Sequence, residues 1–572
     1  MNKIKIMSED LANKIAAGEV VERIANVIKE LIENSLDAES KNIKVELIDA
    51  GTKMIKVTDD GSGMNKEDAH NCFLRHATSK IYKTEDLFFI DTLGFRGEAI
   101  PSIASVSKVT LQTSEGKEGT RIEIHGGKVI SDGISDARRG TIIEVKDLFY
   151  NTPARLKYLK SESTELANTT SFMEKLALAY PNVSFELSNN NNLIFRTSGS
   201  GNLLKTIHEI YGSSISKNML EIKGNNNDFD IYGYICKPSI LKSTRNYITS
   251  IVNNRVIKNN DLNKIINDAY HTYKPEDKYP IVILTINTDS SLIDVNIHPT
   301  KQDIRISKMD VLEELIYDAI KNALYKSLLI PKVEIQTKND DNEIKMPEIK
   351  NYELPEEKFE VREEQTNFDF TEEKNEEIKK LELYPCGLVF GTYIVAQNEE
   401  GMYLIDQHAA EERINYERIL KMLSEKEIKT TDLLVPINIE LSPSDYLKFQ
   451  ENMNVLIDLG FGIEEFGINT IIIKTHPIWL LEGYEESQIR KIIDLVLTMQ
   501  KKFDPVKFND RLAATAACKD SVKGNTNITM EQMESILEKL VKCDNPYNCP
   551  HGRPTIITFT KYEIEKMFKR VM

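Results

Sequence analysis

Glu30, Asn34 and Asp37 stand at i, i+4 and i+7 in the run VVERIANVIKELIENSLD, residues 20–37. Apolar residues at Val20, Val21, Ile24, Val27, Ile28, Leu31 and Ile32 recur with the 3.6 period of an amphipathic helix, which puts the three polar residues on one face. On such a helix Asn34 falls in line with Val20 and Val27, which point inward. A polar group aimed at an interior is costly unless something satisfies it, and a bound ligand or metal would do so. A solvated helix edge is the plain alternative. The next segment, KMIKVTDDGSGM, reads as a strand that runs into Asp59-Asp60-Gly61-Ser62-Gly63. RHATSK (Arg75 to Lys80) and LGFRGEA (Leu93 to Ala99) follow, both small-residue segments with basic side chains, suited to wrapping phosphates with backbone N–H groups. GTIIEVKDLFYNTPARLKYL begins at Gly140. A P-loop is excluded: the nearest match, from Gly199 to Thr206, has Leu204 where the second glycine must stand.

A second set lies far downstream. GMYLIDQHAAEERINYE reads as a strand, Met402 to Asp406, running into a helix on which His408 and Glu412 share a face at i and i+4. Cys518 sits in AACKDSVKG, and Cys549 and His551 in NCPHGRPT. Imidazole, thiolate and carboxylate together suit Zn²⁺, although the two cysteines also read as buried thiols or as a disulfide. Glu417 is nine residues from His408, about 180° around an ideal helix, and so faces away from that site.

The elements that must position these residues fall into several domains. The chain has 572 residues, 41% apolar and 28% charged, enough to build more than one core. Lys plus Arg number 73 against 89 for Asp plus Glu, a net charge of -16, which argues against coating nucleic acid by bulk charge. Six cysteines are too few and too scattered for a disulfide framework. No apolar run reaches the roughly 18–20 residues that span a bilayer, and the stretch from Met1 to Ile6 lacks a secretory signal's apolar core. Between Lys332 and Lys380 there are 16 acidic and 9 basic residues, net -7, with few aliphatics and no sustained period. Such a segment buries too little to offset its ordering entropy and reads as a linker, with a solvated charged helix as the alternative. Upstream, YITSIVNNRVI and YPIVILTINT are strand-like runs within 231–298.

Taken in order, the N-terminal segments resemble the ATP-binding region of the GHKL ATPases. LANKIAAGEVVERIANVIKELIENSLDA, LGFRGEA and DLFYNTPAR resemble the MutL DNA mismatch-repair family in particular, over most of residues 5–305. The resemblance implies an α/β (α+β) protein in four parts. These are a GHKL (Bergerat-type) ATPase sandwich at 1–215, a transducer-like α/β subdomain (ribosomal S5 domain 2-like) at 216–331, a flexible linker at 332–380, and an α+β dimerisation and endonuclease domain at 381–572. It implies ATP and Mg²⁺ as cofactors, with Glu30 as the general base and Asn34 holding the Mg²⁺. Asp59 would accept from the adenine amino group, with Thr141 nearby, and Gly61 and Gly63 would let the backbone approach. Arg75, Thr78, Ser79 and Lys80 would form the ATP lid together with Gly94, Phe95, Arg96, Gly97, Glu98 and Ala99. Lys301, in VNIHPTKQDIRI, would reach the γ-phosphate from the second subdomain. These roles are chemically coherent, because a carboxylate one turn from a metal-binding amide orients water while the cation neutralises phosphate charge.

Asp406-Gln407-His408-Ala409, followed by Glu412 and Glu417, resembles the metal motif of the endonuclease-bearing MutL proteins. Ala517 to Lys519, Cys549 to Arg553 and Phe568 to Arg570 match the rest of that subfamily's pattern. The implied ligand set is Asp406, His408, Glu412, Cys518, Cys549 and His551, holding one or two ions, Zn²⁺ and/or Mn²⁺. Asp406 would be the catalytic bridging carboxylate, Arg553 a stabiliser of phosphorane charge, and Glu417 a supporting residue. Implied partners are DNA, the mismatch-recognition protein MutS, a replication sliding clamp and a second copy of the chain, with no membrane and a cytoplasmic, nucleoid-associated location. Thr431 to Pro436 corresponds to the clamp-binding peptide, with Thr in place of the relatives' Gln. Arg138, Arg139, Lys157 and Lys160 are candidate DNA contacts, whose binding would fall steeply with salt. The competing expectation is a nuclease-free, ATP-driven matchmaker with a structural C-terminal metal.

Overall fold

A computed structural model describes residues 18, 21–81, 92–94, 96–275, 278–294, 304–329, 382–424, 428–499, 505–517 and 528–570. The linker predicted at 332–380 lies outside the described residues, as do Phe95, Lys301 and Cys518. Two compact units result: residues 1–329 with 412–523, and residues 330–411 with 524–572.

The N-terminal sheet of the larger unit has eight strands: β1 (Asn42–Ile48), β2 (Met54–Asp59), β3 (Lys108–Ser114), β4 (Gly119–His125), β5 (Lys128–Ser135), β6 (Gly140–Lys146), β7 (Ser184–Asn189) and β8 (Asn192–Arg196). Their order is β5-β4-β3-β6-β2-β1-β7-β8, antiparallel except where β1 meets β7. Burial alternates along β1 and β2, as expected of strands with one face against a core. Helix α1 (Ile24–Asp37) buries Ile24, Val27, Ile28, Leu31 and Ile32 in that core, and the helix Glu162–Ala179 adds Met173, Leu176 and Leu178. The amphipathic run is helical from Ile24; Val20 lies outside the described residues, Val21 is fully buried but non-helical, and Arg23 is the extended N-cap. Hydrophobic periodicity reports which side chains are buried, and an extended residue can be buried as well as a helical one.

A five-stranded mixed sheet follows, in the order Arg255–Ile257, Ile248–Val252, Val282–Thr288, Phe229–Cys236, Met219–Asn225. Its central strand holds Val282, Ile283 and Leu284, all fully buried, because both faces are covered. Leu312, Ile316, Ile320 and Leu324 recur every four residues along the helix Met309–Leu329 and pack on this sheet with Leu262 and Ile266 of the helix Asn260–Tyr270. Residues 412–523 contribute a three-stranded sheet (Thr430–Glu440, Thr470–Pro477, Gly462–Glu465) and a core around Trp479.

In the smaller unit, an antiparallel sheet runs Tyr384–Val389, Tyr393–Gln397, Gly401–Asp406, Ile556–Thr560. The third strand passes directly into the helix Gln407–Ser424. Two other helices here, Met530–Leu540 and Lys561–Met567, start with capping boxes from Thr529/Gln532 and Thr560/Glu563.

Candidate functional site

The N-terminal site lies where α1 ends and β2 stops. Asp59, the last residue of β2, is 5% exposed. Its Oδ1 accepts from the N–H groups of Gly61 (3.0 Å) and Thr141 (3.1 Å), and its Oδ2 accepts from Ser35 Oγ (2.8 Å). Burial raises the Asp59 carboxyl above its ordinary value, against the lowering effect of these three donors. Arg138, expected on sequence as a DNA contact, donates from Nη2 to the Asp59 carbonyl oxygen at 3.0 Å. Gly63 has φ +69°, and a Cβ there would lie 2.0 Å from the Ser114 carbonyl oxygen, so the loop after β2 needs glycine to pass that strand.

The two small-residue segments meet each other. His76 N–H donates to Gly97 O at 3.2 Å, and at Gly97 (φ +62°) a Cβ would come within 2.3 Å of Ala77 O. Lys80 Nζ reaches back to α1, 2.5 Å from Asp37 Oδ2 and 3.3 Å from Asn34 Oδ1. Asp37 also accepts from the N–H groups of Leu93 (2.9 Å) and Gly94 (3.0 Å). Glu30, one turn before Asn34, is half-buried and makes no hydrogen bond or ion pair among the described residues. Hydrogen bonds thus join Asp59 to Gly61 and Thr141, and Asn34 and Asp37 to Lys80 and Gly94, with Glu30 one turn before Asn34 on α1. Gly63 follows Gly61 in the loop after β2, and Arg75, Thr78, Ser79, Arg96, Glu98 and Ala99 lie in the two small-residue segments. An acceptor for an amino group, a string of backbone donors, an amide oxygen and a free carboxylate are the parts a nucleotide and its cation require. Sequence reading missed Ser35 and the partners of Asp37. The only available signal for Ser35 was its place beside Leu31 on the buried side of α1.

The C-terminal cluster starts from the helix that grows out of the strand Gly401–Asp406. Asp406 caps this helix, its Oδ1 accepting from the N–H groups of His408 (2.9 Å) and Ala409 (3.1 Å). Asp406 N–H in turn donates to Thr555 O at 3.0 Å, tying the start of the helix to the segment that follows the Cys549 turn. That turn is tight: Cys549 N–H donates to Arg553 O (2.9 Å), Gly552 N–H donates to Cys549 O (3.0 Å), and Gly552 adopts φ +84°. Ligand atoms of Glu412, Cys549 and His551 all lie within 4.8 Å of one another, with Cys549 buried and His551 exposed. Asp406 and His408 are outside this group, and Cys518 is not among the described residues. Glu417 faces Arg413, its Oε1 3.6 Å from Nη1. In the predicted clamp peptide, Leu434 is fully exposed and Val435 77% exposed, at an irregularity of the strand Thr430–Glu440.

The fold and the first site define an ATP-binding protein of the GHKL class. Residues 22–137 match the family described as histidine kinase-, DNA gyrase B-, and HSP90-like ATPase. Residues 207–325 match the DNA mismatch repair protein, C-terminal domain, and residues 386–528 the MutL C terminal dimerisation domain. Over 600 aligned residues the sequence is 43% identical to the DNA mismatch repair protein MutL of Listeria innocua, covering 99% of each chain. The MutL proteins of Bacillus licheniformis and Shouchella clausii are 40% and 39% identical, with full coverage on both sides. The solved Aquifex aeolicus MutL ATPase domain complexed with ADP aligns at 24% identity over 52% of this chain and 97% of its own, with a TM-score of 0.38. The chain belongs to the MutL family of DNA mismatch-repair proteins. It carries that family's ATP-binding domain and its dimerisation domain, which supports a homodimer. Among the described residues no helix is long and apolar enough to cross a membrane.

Proposed function

We propose that this protein couples ATP-driven conformational cycling to metal-dependent nicking of DNA during mismatch repair. The observation that carries the nicking half is the meeting of Glu412, Cys549 and His551 within 4.8 Å. A carboxylate, a thiolate and an imidazole at that spacing fit Zn²⁺, with Asp406, His408 and Cys518 completing a site for one or two ions, Zn²⁺ and/or Mn²⁺. Bound there, the metal would supply a Lewis acid and an activated water for phosphodiester hydrolysis. The chain's own part is to hold the donors: the Cys549 turn fixes the thiolate and imidazole, and the capped helix fixes Glu412. At the ATPase site, Asn34 offers an amide oxygen that fits Mg²⁺, Glu30 takes a proton from water, and Asp59 reads the adenine amino group. Lys301 acts on the γ-phosphate. DNA, MutS and the sliding clamp are the partners, the last engaged by the exposed Leu434 and Val435, and the protein works in the cytoplasm at the nucleoid.

A nuclease-free matchmaker with a structural metal is the second reading, favoured by Asp406 already serving as a helix cap. Nicking of supercoiled plasmid in Mn²⁺, wild type against Asp406→Asn at equal zinc content, separates the two. Asparagine caps a helix as well as aspartate does, so the variant keeps its fold. Nicking lost only in the variant supports the endonuclease. If neither protein nicks, with or without clamp, the matchmaker reading replaces it.

A further inference from the structure

Three side chains, Lys80, Asn34 and Asp37, converge at the end of α1. Lys80 places an ammonium against Asn34 Oδ1 and Asp37 Oδ2, with its side chain 19% exposed and that of Asp37 8% exposed. Gly94 borders the same spot at ordinary contact distance. A Cβ there would stand 3.4 Å from Lys80 Nζ, 3.6 Å from Asn34 Oδ1 and 3.8 Å from Asp37 Oδ2. Two more donors, the N–H groups of Leu93 and Gly94, hold the Asp37 carboxylate in place. Asp37 thus has a fixed, shielded oxygen facing the same cation as the Asn34 amide.

We propose that Lys80 is a built-in stand-in for the divalent cation, its ammonium occupying Asn34 Oδ1 in the nucleotide-free protein, with Asp37 as the positioning residue that holds it there. This rests on the reading that Asn34 is the residue that binds Mg²⁺. An amide oxygen and a carboxylate oxygen side by side in a partly buried site would attract a free divalent ion from solution. A tethered ammonium satisfies both oxygens instead, so the cation is admitted only when it arrives with phosphates that compensate for displacing the lysine. Lys80 itself lies in the segment expected to wrap those phosphates, so once displaced it has an anionic partner within its own loop. The device keeps the unloaded site closed to bare metal and makes cation entry depend on nucleotide.

The test uses the full chain and Mn²⁺ alone, read by electron paramagnetic resonance as bound ions per chain without nucleotide; ions held by the C-terminal cluster are common to every variant. Lys80→Met is expected to bind an additional Mn²⁺, at least about tenfold more tightly than the wild type does at that site, the worth of one charge-assisted hydrogen bond. Lys80→Ala repeats the measurement should the methionine disturb packing, and a thermal melt in Mn²⁺ shows whether the added ion restores stability. Adding Asn34→Ala to Lys80→Met is expected to remove the extra ion. The proposal is overturned if folded Lys80→Met and Lys80→Ala bind no more Mn²⁺ than the wild type. It is also overturned if the extra ion survives Asn34→Ala, because the ion then sits on Asp37 alone. The single variant Asn34→Ala reports on the underlying reading: unchanged Mg²⁺ dependence of ATP-analogue binding would remove Asn34 from the metal site and the stand-in with it.

Discussion

The two sites differ in how much of each is assembled before anything binds. At the end of α1, Asp59 has three donors, Asp37 has three and the Asn34 oxygen has a lysine, all supplied by the chain itself. In the C-terminal cluster Glu412, Cys549 and His551 are the expected donors that come together among the described residues, while Asp406 caps its helix. The first site is set by one sheet, the helix packed on it and the loop segments at Lys80 and Gly94 that bond back to that helix, so Asp59 and Asp37 are held by elements of the same core that fixes the fold. The second draws on a helix start and a turn distant in sequence, joined through backbone by the bond from Asp406 N–H to Thr555 O, so its donor side chains are held less directly. A preorganised site tolerates loss of its chemistry without loss of structure, whereas a site closed by its ligand does not.

Glu30→Ala should have the largest effect and leave the structure silent. Glu30 has no partner among the described residues to be orphaned, so melting temperature and ATP affinity are expected to stay near wild type. Single-turnover hydrolysis should drop by about 10²–10⁴-fold, the worth of a positioned general base. A large fall in melting temperature would show that the carboxylate supports the fold and would break the contrast between the sites.

Cys549→Ser should behave in the opposite way. Cys549 is 2% exposed, with its thiol within 4.8 Å of ligand atoms of both Glu412 and His551. Zinc affinity, read by competition with a chromogenic chelator, is expected to fall by more than the roughly 10–100-fold that losing a supporting partner costs. Stability of the smaller unit should fall with it, and ATP binding should be unchanged. If zinc content stays whole, these three residues are not what holds the ion.

That contrast also governs what could be read from the sequence. Glu30, Asn34 and Asp59 were legible because helical period and a strand-to-glycine junction fix where their side chains point. The apolar period runs back past the helix start at Ile24, because Val21 is buried without being helical. Ser35 went unseen, since a serine on a buried helical face carries no signal of its own. The pairing of Lys80 with Asp37 spans 43 positions and follows from how a loop folds back, which no local pattern encodes. In the C-terminal region, residue types named the donors, but which of them meet depends on the Cys549 turn and on Asp406 acting as a cap.

Asp59→Asn sharpens the comparison at an intermediate magnitude. Asparagine can still accept from Gly61 and Thr141, while its amide donates to Ser35 Oγ, which in turn donates to Leu31 O. If Asp59 accepts from the adenine amino group as proposed, that acceptor alone is lost, and ATP should bind about 10–100-fold more weakly, read by calorimetry. The pH dependence has a definite sign. A carboxyl held above its unfolded value contributes stability that is fully present below the usual carboxylate range and is lost as pH rises through the raised folded value. Nucleotide-free wild type should therefore lose melting temperature relative to Asp59→Asn across that window and run parallel to it above. A gap that instead closed with rising pH would mean the carboxylate is favoured in the folded state.

Glu417→Gln should give the smallest effect, and its smallness is informative. The carboxylate lies 3.6 Å from Arg413 in an i,i+4 pair, with the two side chains 20% and 11% exposed. Such pairs on helices are worth about 0.3–0.5 kcal/mol, and glutamine keeps both the length and an acceptor. Zinc affinity should be unchanged within error and the melting temperature lowered only slightly. Glu412→Gln, five residues earlier on the same helix, should lower zinc affinity by at least tenfold, because it removes a donor from the cluster itself. Equal losses from the two would mean that the helix turns a different face to the metal than the one carrying Glu412, and the half-assembled character of the second site would have to be reassigned.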